Sequence, residues 1–202
     1  MNKIEKAFSK GKAFIPFITL GDPSLEFTEK LIIEMAKVGA DVIELGIPFS
    51  DPSAEGPVIQ AANIRGLSVG TNTDKIFDMI ERVRKVSNVP LVFLTYVNIV
   101  FSYGTERFMK KCKEVGVDGI IVPDIPYEER DEIKPYCDTY GVSYISMVSL
   151  TSGDRIERLV EDARGYVYCV SSLGVTGARD SLALDSSEVI KRIKAVKNVP
   201  CA

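Results

Sequence analysis

Short apolar runs alternate with amphipathic helical patterns along most of this 202-residue chain. The runs are rich in β-branched residues and nearly free of polar side chains, which is typical of parallel strands covered on both faces. They span 14–20, 42–47, 90–96, 119–124, 142–149 and 166–171. Between them, apolar residues recur at helical spacing. One such stripe consists of Ile76, Phe77, Ile80, Val83 and Val86. We therefore predict a parallel sheet covered by helices.

The spacing of the runs distinguishes a closed βα-barrel from an open, doubly wound sheet, the two architectures considered for this parallel sheet. Most strand starts lie roughly 25–30 residues apart, and such regular βα units favour a (β/α)8 barrel. The first βα turn, "TLGDPS", lacks the G-x-G-x-x-G pattern of a dinucleotide-binding, doubly wound sheet. The helical stripe that precedes the third run is expected to begin at a cap residue, Thr73 or Asp74. The fold class we predict is α/β, a (β/α)8 TIM barrel.

A weak internal repeat indicates how much of this barrel the chain holds. The segment "RVRKVSNVPLV" at 82–92 resembles "RIKAVKNVPCA" at 192–202, and the first copy leads directly into a strand. We therefore expect six βα units and the start of a seventh strand. On this interpretation residues 1–202 form a single TIM-barrel domain that is incomplete at its C-terminus.

Composition and charge exclude several classes of partner. The net charge is −3 with both signs mixed along the chain, and no basic patch is interleaved with aromatics, so we expect no nucleic-acid partner. The N-terminus lacks the apolar region of a signal peptide. The most apolar run, "PLVFLTYVNIVF", is shorter than the roughly 20 residues that a membrane span needs. We therefore expect a cytoplasmic protein that binds no membrane.

One acidic residue, Glu44, interrupts the apolar run "VIELGI". Side chains alternate across a strand, so Ile43, Leu45 and Ile47 share one face and Glu44 lies on the other. The bulky face must pack against the helices, which directs Glu44 into the barrel near the strand's C-terminal end, where barrel active sites lie. Burial raises the pKa of a carboxyl group, which suits acid–base catalysis near neutral pH. The alternative is a glutamate paired with a buried Lys or Arg, but none of the six runs contains either.

The residue types that are missing narrow the chemistry. Without a strand lysine, a Schiff-base aldolase mechanism is not available. The chain contains no histidine, which argues against a Ser-His-Asp system and against zinc or non-haem iron sites. Paired carboxylates that transfer protons remain. The loop after the second run offers Asp51 and Glu55, although composition alone favours solvated charges at both positions.

Four sequence motifs, taken in order, resemble the tryptophan synthase alpha subunit family. They are "FIPFITLGDPS", "IELGIPFSDPSAEGPVIQAANIRGL", "VGVDGIIVPDIPYEE" and "GYVYCVSSLGVTGA". The resemblance implies a (β/α)8 barrel that cleaves indole-3-glycerol phosphate to indole and glyceraldehyde 3-phosphate, a retro-aldol step of tryptophan biosynthesis. It also implies an α2β2 tetramer in which indole passes to a β subunit. Pyridoxal phosphate is expected only in that partner, and neither a cofactor nor a metal is expected in this chain.

The resemblance also assigns roles to individual residues. Glu44 matches the family's acid–base glutamate. Glu55, in "AEGP", stands where the family usually has an aspartate that stabilises charge at the indole N–H, so its side chain is one methylene longer. Thr176 and Gly177 match a mobile loop that orients the second carboxylate and binds phosphate. The residues that match the pocket around the indole ring are Phe17, Leu94, Ile121, Met147 and Tyr168.

Three functions remain open at this level. The first is the catalytic alpha subunit, and the second is a free-standing lyase that releases indole without a β partner. The third is a non-catalytic subunit that only activates its partner, against which the retained Glu44 and Glu55 argue. Since the family completes its phosphate site after strands 7 and 8, we expect these 202 residues by themselves to be inactive.

Overall fold

The computed structural model describes residues 1–170 and 187–202. Within these residues, seven strands lie in the predicted apolar runs. The strands are β1 (Phe17–Thr19), β2 (Ile43–Gly46), β3 (Leu91–Leu94), β4 (Gly119–Ile121), β5 (Ser143–Tyr144), β6 (Ser146–Ser149) and β7 (Val167–Val170). They form one sheet in the order β1-β2-β3-β4-β5 and a second made of β6 and β7. All of these pairings are parallel, so the predicted parallel sheet is confirmed.

The fifth apolar run was expected to form one strand and forms two, because its pairing partner changes at Ile145. Before this residue, β5 pairs with β4, and the Ile145 N–H donates to the Ile120 carbonyl at 2.9 Å. After it, β6 pairs with β7, with Met147 opposite Tyr168. One chain segment therefore joins the two sheets, and the strands follow one another in chain order, as in a barrel wall.

The predicted start of a further strand lies beside β7. Cys201 forms a parallel bridge with Val167. The Val167 N–H donates to the Pro200 carbonyl at 2.8 Å, and the Ala202 N–H donates to the Val167 carbonyl at 3.0 Å. The second "NVP" segment thus leads into strand pairing, as the internal repeat predicts.

Apart from the first, the helices follow the strands and cover one face of the sheet. In chain order they are α1 (Lys3–Ala7), α2 (Leu25–Lys37), α3 (Pro57–Ser68), α4 (Thr73–Arg84), α5 (Val97–Tyr103), α6 (Thr105–Val115), α7 (Lys134–Tyr140), α8 (Ile156–Val160) and α9 (Ser187–Val196). The extra helix α3 accounts for the long interval between the second and third runs. None of the helices in the described ranges is long and apolar enough to span a membrane.

The N-cap of α4 and the end of its apolar stripe differ from the sequence prediction. The cap is Asn72, whose side chain accepts a hydrogen bond from the Lys75 N–H at 3.0 Å, rather than Thr73 or Asp74. Asparagine is among the strongest N-cap residues, and Asn72 has the extended backbone that this position needs. At the other end, Val86 lies beyond the helix and is 67% exposed, so the buried stripe stops at Val83.

Two apolar layers separate the two faces of the sheet. The outer layer packs strand residues such as Leu45 and Phe93 against the helices. The inner layer, which lies on the face of Glu44, is a second buried cluster. Its fully buried members are Ile4, Val42, Val92, Ile121, Ile145 and Tyr166, and Leu94, Met147 and Tyr168 pack against them. The inward and outward residues alternate along each strand, as the sequence pattern predicts.

The short helix α1 contributes to the floor of this inner layer. Ile4 is fully buried there, and a Cβ on Gly119 of β4 would lie 3.0 Å from its Cδ1. A capping box holds the helix in place, since the Asn2 side chain accepts from the Glu5 N–H at 2.8 Å and the Glu5 carboxylate accepts from the Asn2 N–H at 3.0 Å. The Asn2 amide also donates to the Ser143 hydroxyl at 3.1 Å, which ties the chain's first turn to β5.

A largely buried ion pair joins α4 to the strand that follows α6. Arg84 donates to the Asp118 carboxylate at 2.7 Å, to the Gly116 carbonyl at 2.7 and 3.0 Å and to the Val89 carbonyl at 2.6 Å. Lys3 lies 3.4 Å from the other oxygen of Asp118. The network joins helix α1 and the loops before β3 and β4 at the N-terminal ends of the strands, opposite the end at which barrel active sites lie.

Candidate active site

Glu44 lies on the inner face of β2, and the structure confirms that its side chain is buried. It is the second of four residues in β2, opposite Phe17 of β1 and Val92 of β3. It therefore lies two residues before the end of the strand. Only 6% of the residue is exposed.

The partner of Glu44 is a tyrosine rather than a cation. The Tyr166 hydroxyl donates to Oε1 of Glu44 at 2.6 Å, and no Lys or Arg is paired with this carboxylate among the described residues. Burial raises the pKa of the Glu44 carboxyl above its usual value, and the hydrogen bond from Tyr166 opposes part of that rise. A raised pKa moves the carboxyl toward the range that suits a general acid–base catalyst.

Tyr166 was missed by the sequence analysis, which selected Tyr168. Burial, together with the nearby Glu44 carboxylate, raises the pKa of Tyr166, so its hydroxyl stays protonated and remains a donor. Its ring lies 5.7 Å from that of Phe8 in the floor of the barrel. A signal was available, because Tyr166 and Tyr168 are two residues apart and strand alternation places them on the same face.

Glu55 is buried by the loop that follows β2, and this corrects the composition-based expectation of a solvated charge. The residue is 7% exposed, and its carboxylate accepts a hydrogen bond from the Tyr96 hydroxyl. The Gln60 side chain donates to the Glu55 carbonyl at 2.8 Å. Asp51, the other candidate in this loop, is exposed.

Tyr96, to which no sequence motif assigned a role, organises the loop around Glu55. Its hydroxyl oxygen accepts from the backbone N–H groups of Ser53 and Ala54, each at 3.0 Å, while its proton goes to Glu55. Its ring stacks on Phe49 with 4.9 Å between centroids. Burial and the hydrogen bond to Glu55 raise the pKa of Tyr96, which keeps the donor protonated. Tyr96 lies two residues after Leu94 at the C-terminal end of β3, where site residues of barrels are expected.

The five residues predicted to line a pocket all lie at the inner face. Leu94, Ile121, Met147 and Tyr168 belong to the inner apolar layer. Tyr168 is close enough to Glu44 that this carboxylate contributes to raising its pKa, after burial. The remaining predicted residues, Thr176 and Gly177, lie outside the described residues.

Phe17 reaches its position because Gly46 has no side chain. A Cβ on Gly46 would lie 2.6 Å from Cζ of Phe17, so the ring occupies the space above this glycine. Gly46 shares the face of Glu44, from which it is two residues away. The structure thus places an aromatic ring, a buried carboxylate and an apolar layer along one wall.

Fold and site together define a class of protein: a parallel βα-barrel enzyme whose polar groups are carboxylates held by tyrosines. Among family models, that of the tryptophan synthase alpha chain matches residues 4–202. The chain belongs to the tryptophan synthase alpha chain family.

Individual relatives agree with this assignment over the whole chain. The tryptophan synthase alpha chain of Lacticaseibacillus casei is 48% identical over 202 residues, which are 100% of this chain and 76% of the relative. That of Methanocaldococcus jannaschii is 48% identical over 201 residues, 98% of this chain and 71% of the relative.

Solved structures show the same fold. The alpha chain from Legionella pneumophila superposes with a TM-score of 0.86 at 35% identity, covering 100% of this chain and 76% of the other. The Mycobacterium tuberculosis tryptophan synthase gives a TM-score of 0.90 at 29% identity, with 99% and 79% covered. A structure of the Pyrococcus furiosus tryptophan synthase a2b2 complex gives 0.85 at 32% identity, with 94% and 76% covered. The predicted TIM-barrel class is confirmed.

Proposed function

We propose that this protein acts in tryptophan biosynthesis by cleaving indole-3-glycerol phosphate to indole and glyceraldehyde 3-phosphate. The observation that carries the proposal is Glu44: a buried carboxyl group on the inner face, bound to Tyr166 and flanked by an apolar wall. The apolar wall suits the planar indole ring, and the buried carboxyl group suits the transfer of a proton to one of its carbons.

Glu44 acts as the acid and the base of the reaction. It protonates C3 of the indole ring, which ends the ring's aromaticity and leaves positive charge over the ring nitrogen. It then takes the proton from the hydroxyl on the adjacent glycerol carbon. The bond between this glycerol carbon and C3 of the ring then breaks. The glycerol carbon becomes the aldehyde carbon, and the electron pair of the broken bond restores the neutral aromatic indole. Burial raises the pKa of Glu44, which moves the carboxyl toward the range in which one group both donates and accepts a proton during catalysis.

Glu55 stabilises the charge that forms on the ring nitrogen. Its burial and its bond to Tyr96 support this role, since a positioned carboxylate away from water interacts strongly with developing positive charge. The pocket for the ring consists of Phe17, Leu94, Ile121, Met147 and Tyr168. For Thr176 and Gly177, the support is the motif "GVTGA", which assigns them to orienting Glu55 and binding phosphate.

The partner we propose is a tryptophan synthase β subunit in an α2β2 tetramer. The related Pyrococcus furiosus structure is that of an a2b2 complex. The loop that carries Asp51 is the surface we assign to this contact, and pyridoxal phosphate belongs to the β subunit alone. We place the assembly in the cytoplasm. Asp51→Lys is expected to weaken activation by the β subunit more than cleavage itself, and an equal loss of both would place Asp51 in the active site.

The decisive experiment is Glu44→Gln, assayed in the complete gene product with its β subunit present. The side chain keeps its shape but cannot transfer a proton, so the rate of indole formation should fall on the order of 100-fold or more. Glu34→Gln, on the exposed surface of α2, is the matched control and should leave the rate unchanged. Retention of most of the rate by Glu44→Gln would disprove the acid–base role. Full activation of the β subunit by a wild-type protein without turnover would identify a partner-activating subunit instead.

A further inference from the structure

Thr19 holds a buried hydroxyl group that forms no hydrogen bond with any residue that the structure describes. The residue is 7% exposed and its oxygen is fully enclosed. Leaving a buried donor unpaired is unfavourable, so native structures pair nearly all such groups, and each exception needs an explanation.

The position of Thr19 places it on the wall of the candidate active site. It is the last residue of β1 and lies opposite Gly46, while Phe17, two residues earlier, lies opposite Glu44. Alternation puts Phe17 and Thr19 on one face, and two strand residues advance about 6.6 Å toward the carboxyl end. Thr19 therefore lies one pleat closer than Phe17 to the barrel mouth. Because Gly46 has no side chain, β2 places no side chain directly opposite Thr19.

The direction in which the substrate's glycerol phosphate chain extends follows from the residues that close the floor of the barrel. Ile4 and Tyr166, both fully buried, belong to the inner layer near the floor of the barrel. If the bond that breaks lies at Glu44, the rest of the three-carbon chain must extend away from this floor, toward the mouth. That path passes the end of β1.

We propose that Thr19 Oγ1 binds a hydroxyl group of the substrate's glycerol phosphate chain, an inference that rests on the proposed function. A threonine hydroxyl both donates and accepts hydrogen bonds, and so does each hydroxyl of a polyol. A 120° rotation about χ1 moves the hydroxyl to another staggered position, which turns the oxygen toward a bound chain. Substrate binding then satisfies a group that is unpaired without substrate.

A second unpaired hydroxyl, that of Thr71, provides the comparison. Thr71 lies in the turn between α3 and α4, outside the sheet, and packs against the backbone after β1. A Cβ on Gly21 would lie 2.1 Å from Thr71 Oγ1, so the threonine fills the space that this glycine leaves. Its role is packing, and we expect no contact with substrate.

The test compares Thr19→Val and Thr19→Ser in the complete gene product. Valine keeps the shape but removes the hydroxyl, so kcat/KM for indole-3-glycerol phosphate should fall about tenfold, the effect of one hydrogen bond. Serine should retain most of the activity. A substrate analogue in which hydrogen replaces both hydroxyl groups of the glycerol phosphate chain cannot bind Thr19 in this way. Its inhibition constant should therefore be the same in Thr19→Val and wild type. Thr71→Val should leave kcat/KM unchanged.

Two results would overturn the inference. Full kcat/KM in Thr19→Val would show that the hydroxyl contacts no substrate. Equal weakening of substrate and deoxy analogue, with a lower Tm, would show a structural hydroxyl. Absence of cleavage by the wild-type protein, by contrast, would overturn the proposed function itself.

Discussion

The Tyr166 hydroxyl and Oε1 of Glu44 lie 2.6 Å apart although 122 positions separate the two residues in the chain. This hydrogen bond favours the ionised carboxylate, whereas burial favours the protonated form. The two effects oppose each other, and burial is the larger.

Removing the hydroxyl should therefore raise the pKa of Glu44 further. In Tyr166→Phe, the limb of the pH–rate profile that Glu44 controls should move to higher pH. Tyr168→Phe removes a nearby hydroxyl group that forms no hydrogen bond with Glu44, so it should move that limb less. An unchanged profile in Tyr166→Phe would mean that the tyrosine does not bind Glu44 during turnover.

Because the pKa of Glu44 is raised in the folded state, the difference in stability between wild type and Glu44→Gln should depend on pH. In the unfolded chain the carboxyl titrates near 4.5, and in the folded chain it titrates higher. Below the unfolded value both states are protonated, so the buried carboxyl carries no ionisation cost. As pH rises through the folded pKa, wild type loses stability that Glu44→Gln keeps, about 1.4 kcal/mol for each unit of elevation. Urea unfolding at pH 5 and pH 8 should show Glu44→Gln gaining on wild type at the higher pH, and a constant difference would contradict this.

Tyr96 should control both Glu55 and its loop. Tyr96→Phe keeps the stack on Phe49 but removes the partner of Glu55 and of the Ser53 and Ala54 N–H groups. We expect a loss of activity of about tenfold and faster amide exchange at residues 53 and 54. Glu55→Asp should retain a substantial part of the activity and Glu55→Ala very little. If Glu55→Ala retained nearly all of the activity, another group would have to stabilise the charge on the ring nitrogen.

Gly46→Ala tests the placement of Phe17. The new methyl group would overlap the ring, since an ideal Cβ lies 2.6 Å from Cζ. The ring must shift away from Glu44, so the KM for indole-3-glycerol phosphate should rise while much of the fold survives. Ala61→Gly, at a half-buried position of α3, changes one methyl group in the opposite direction and serves for comparison. An unaltered KM in Gly46→Ala would remove Phe17 from the pocket.

Arg84→Met should destabilise the protein far from the active site. It removes the donor to three backbone carbonyls and to Asp118, and leaves that carboxylate with the Leu91 N–H and a longer contact to Lys3. We expect a loss of about 3 kcal/mol in unfolding free energy, as for other broken buried pairs. Arg82→Met breaks the exposed pair with Glu29 and should cost less than about 1 kcal/mol. Similar losses in both variants would contradict a special role for Arg84.

The face of Glu44 was predictable from sequence because strand alternation is a local rule. The residues that hold the two carboxylates were not, because each partner comes from a distant segment and depends on how loops fold. Tyr166 is paired across the barrel, and Tyr96 acts on a loop that precedes it by some forty residues. The burial of Glu55 follows from that same loop, which is why composition gave the wrong environment. The division of the fifth run at Ile145 reflects a change of neighbour, which a single strand pattern does not encode.

The attachment of Asn2 to Ser143 has a consequence for how the protein is made. The first turn of the chain leaves the ribosome early, but its hydrogen-bond partner lies 141 positions later. At 5–20 residues per second, that partner is synthesised roughly 7–28 s afterwards. Ile4 cannot complete its packing during this interval, because Ile145 and Tyr166 of the same inner layer are synthesised later still. A nascent chain therefore carries Glu44 long before it can enclose this carboxyl group.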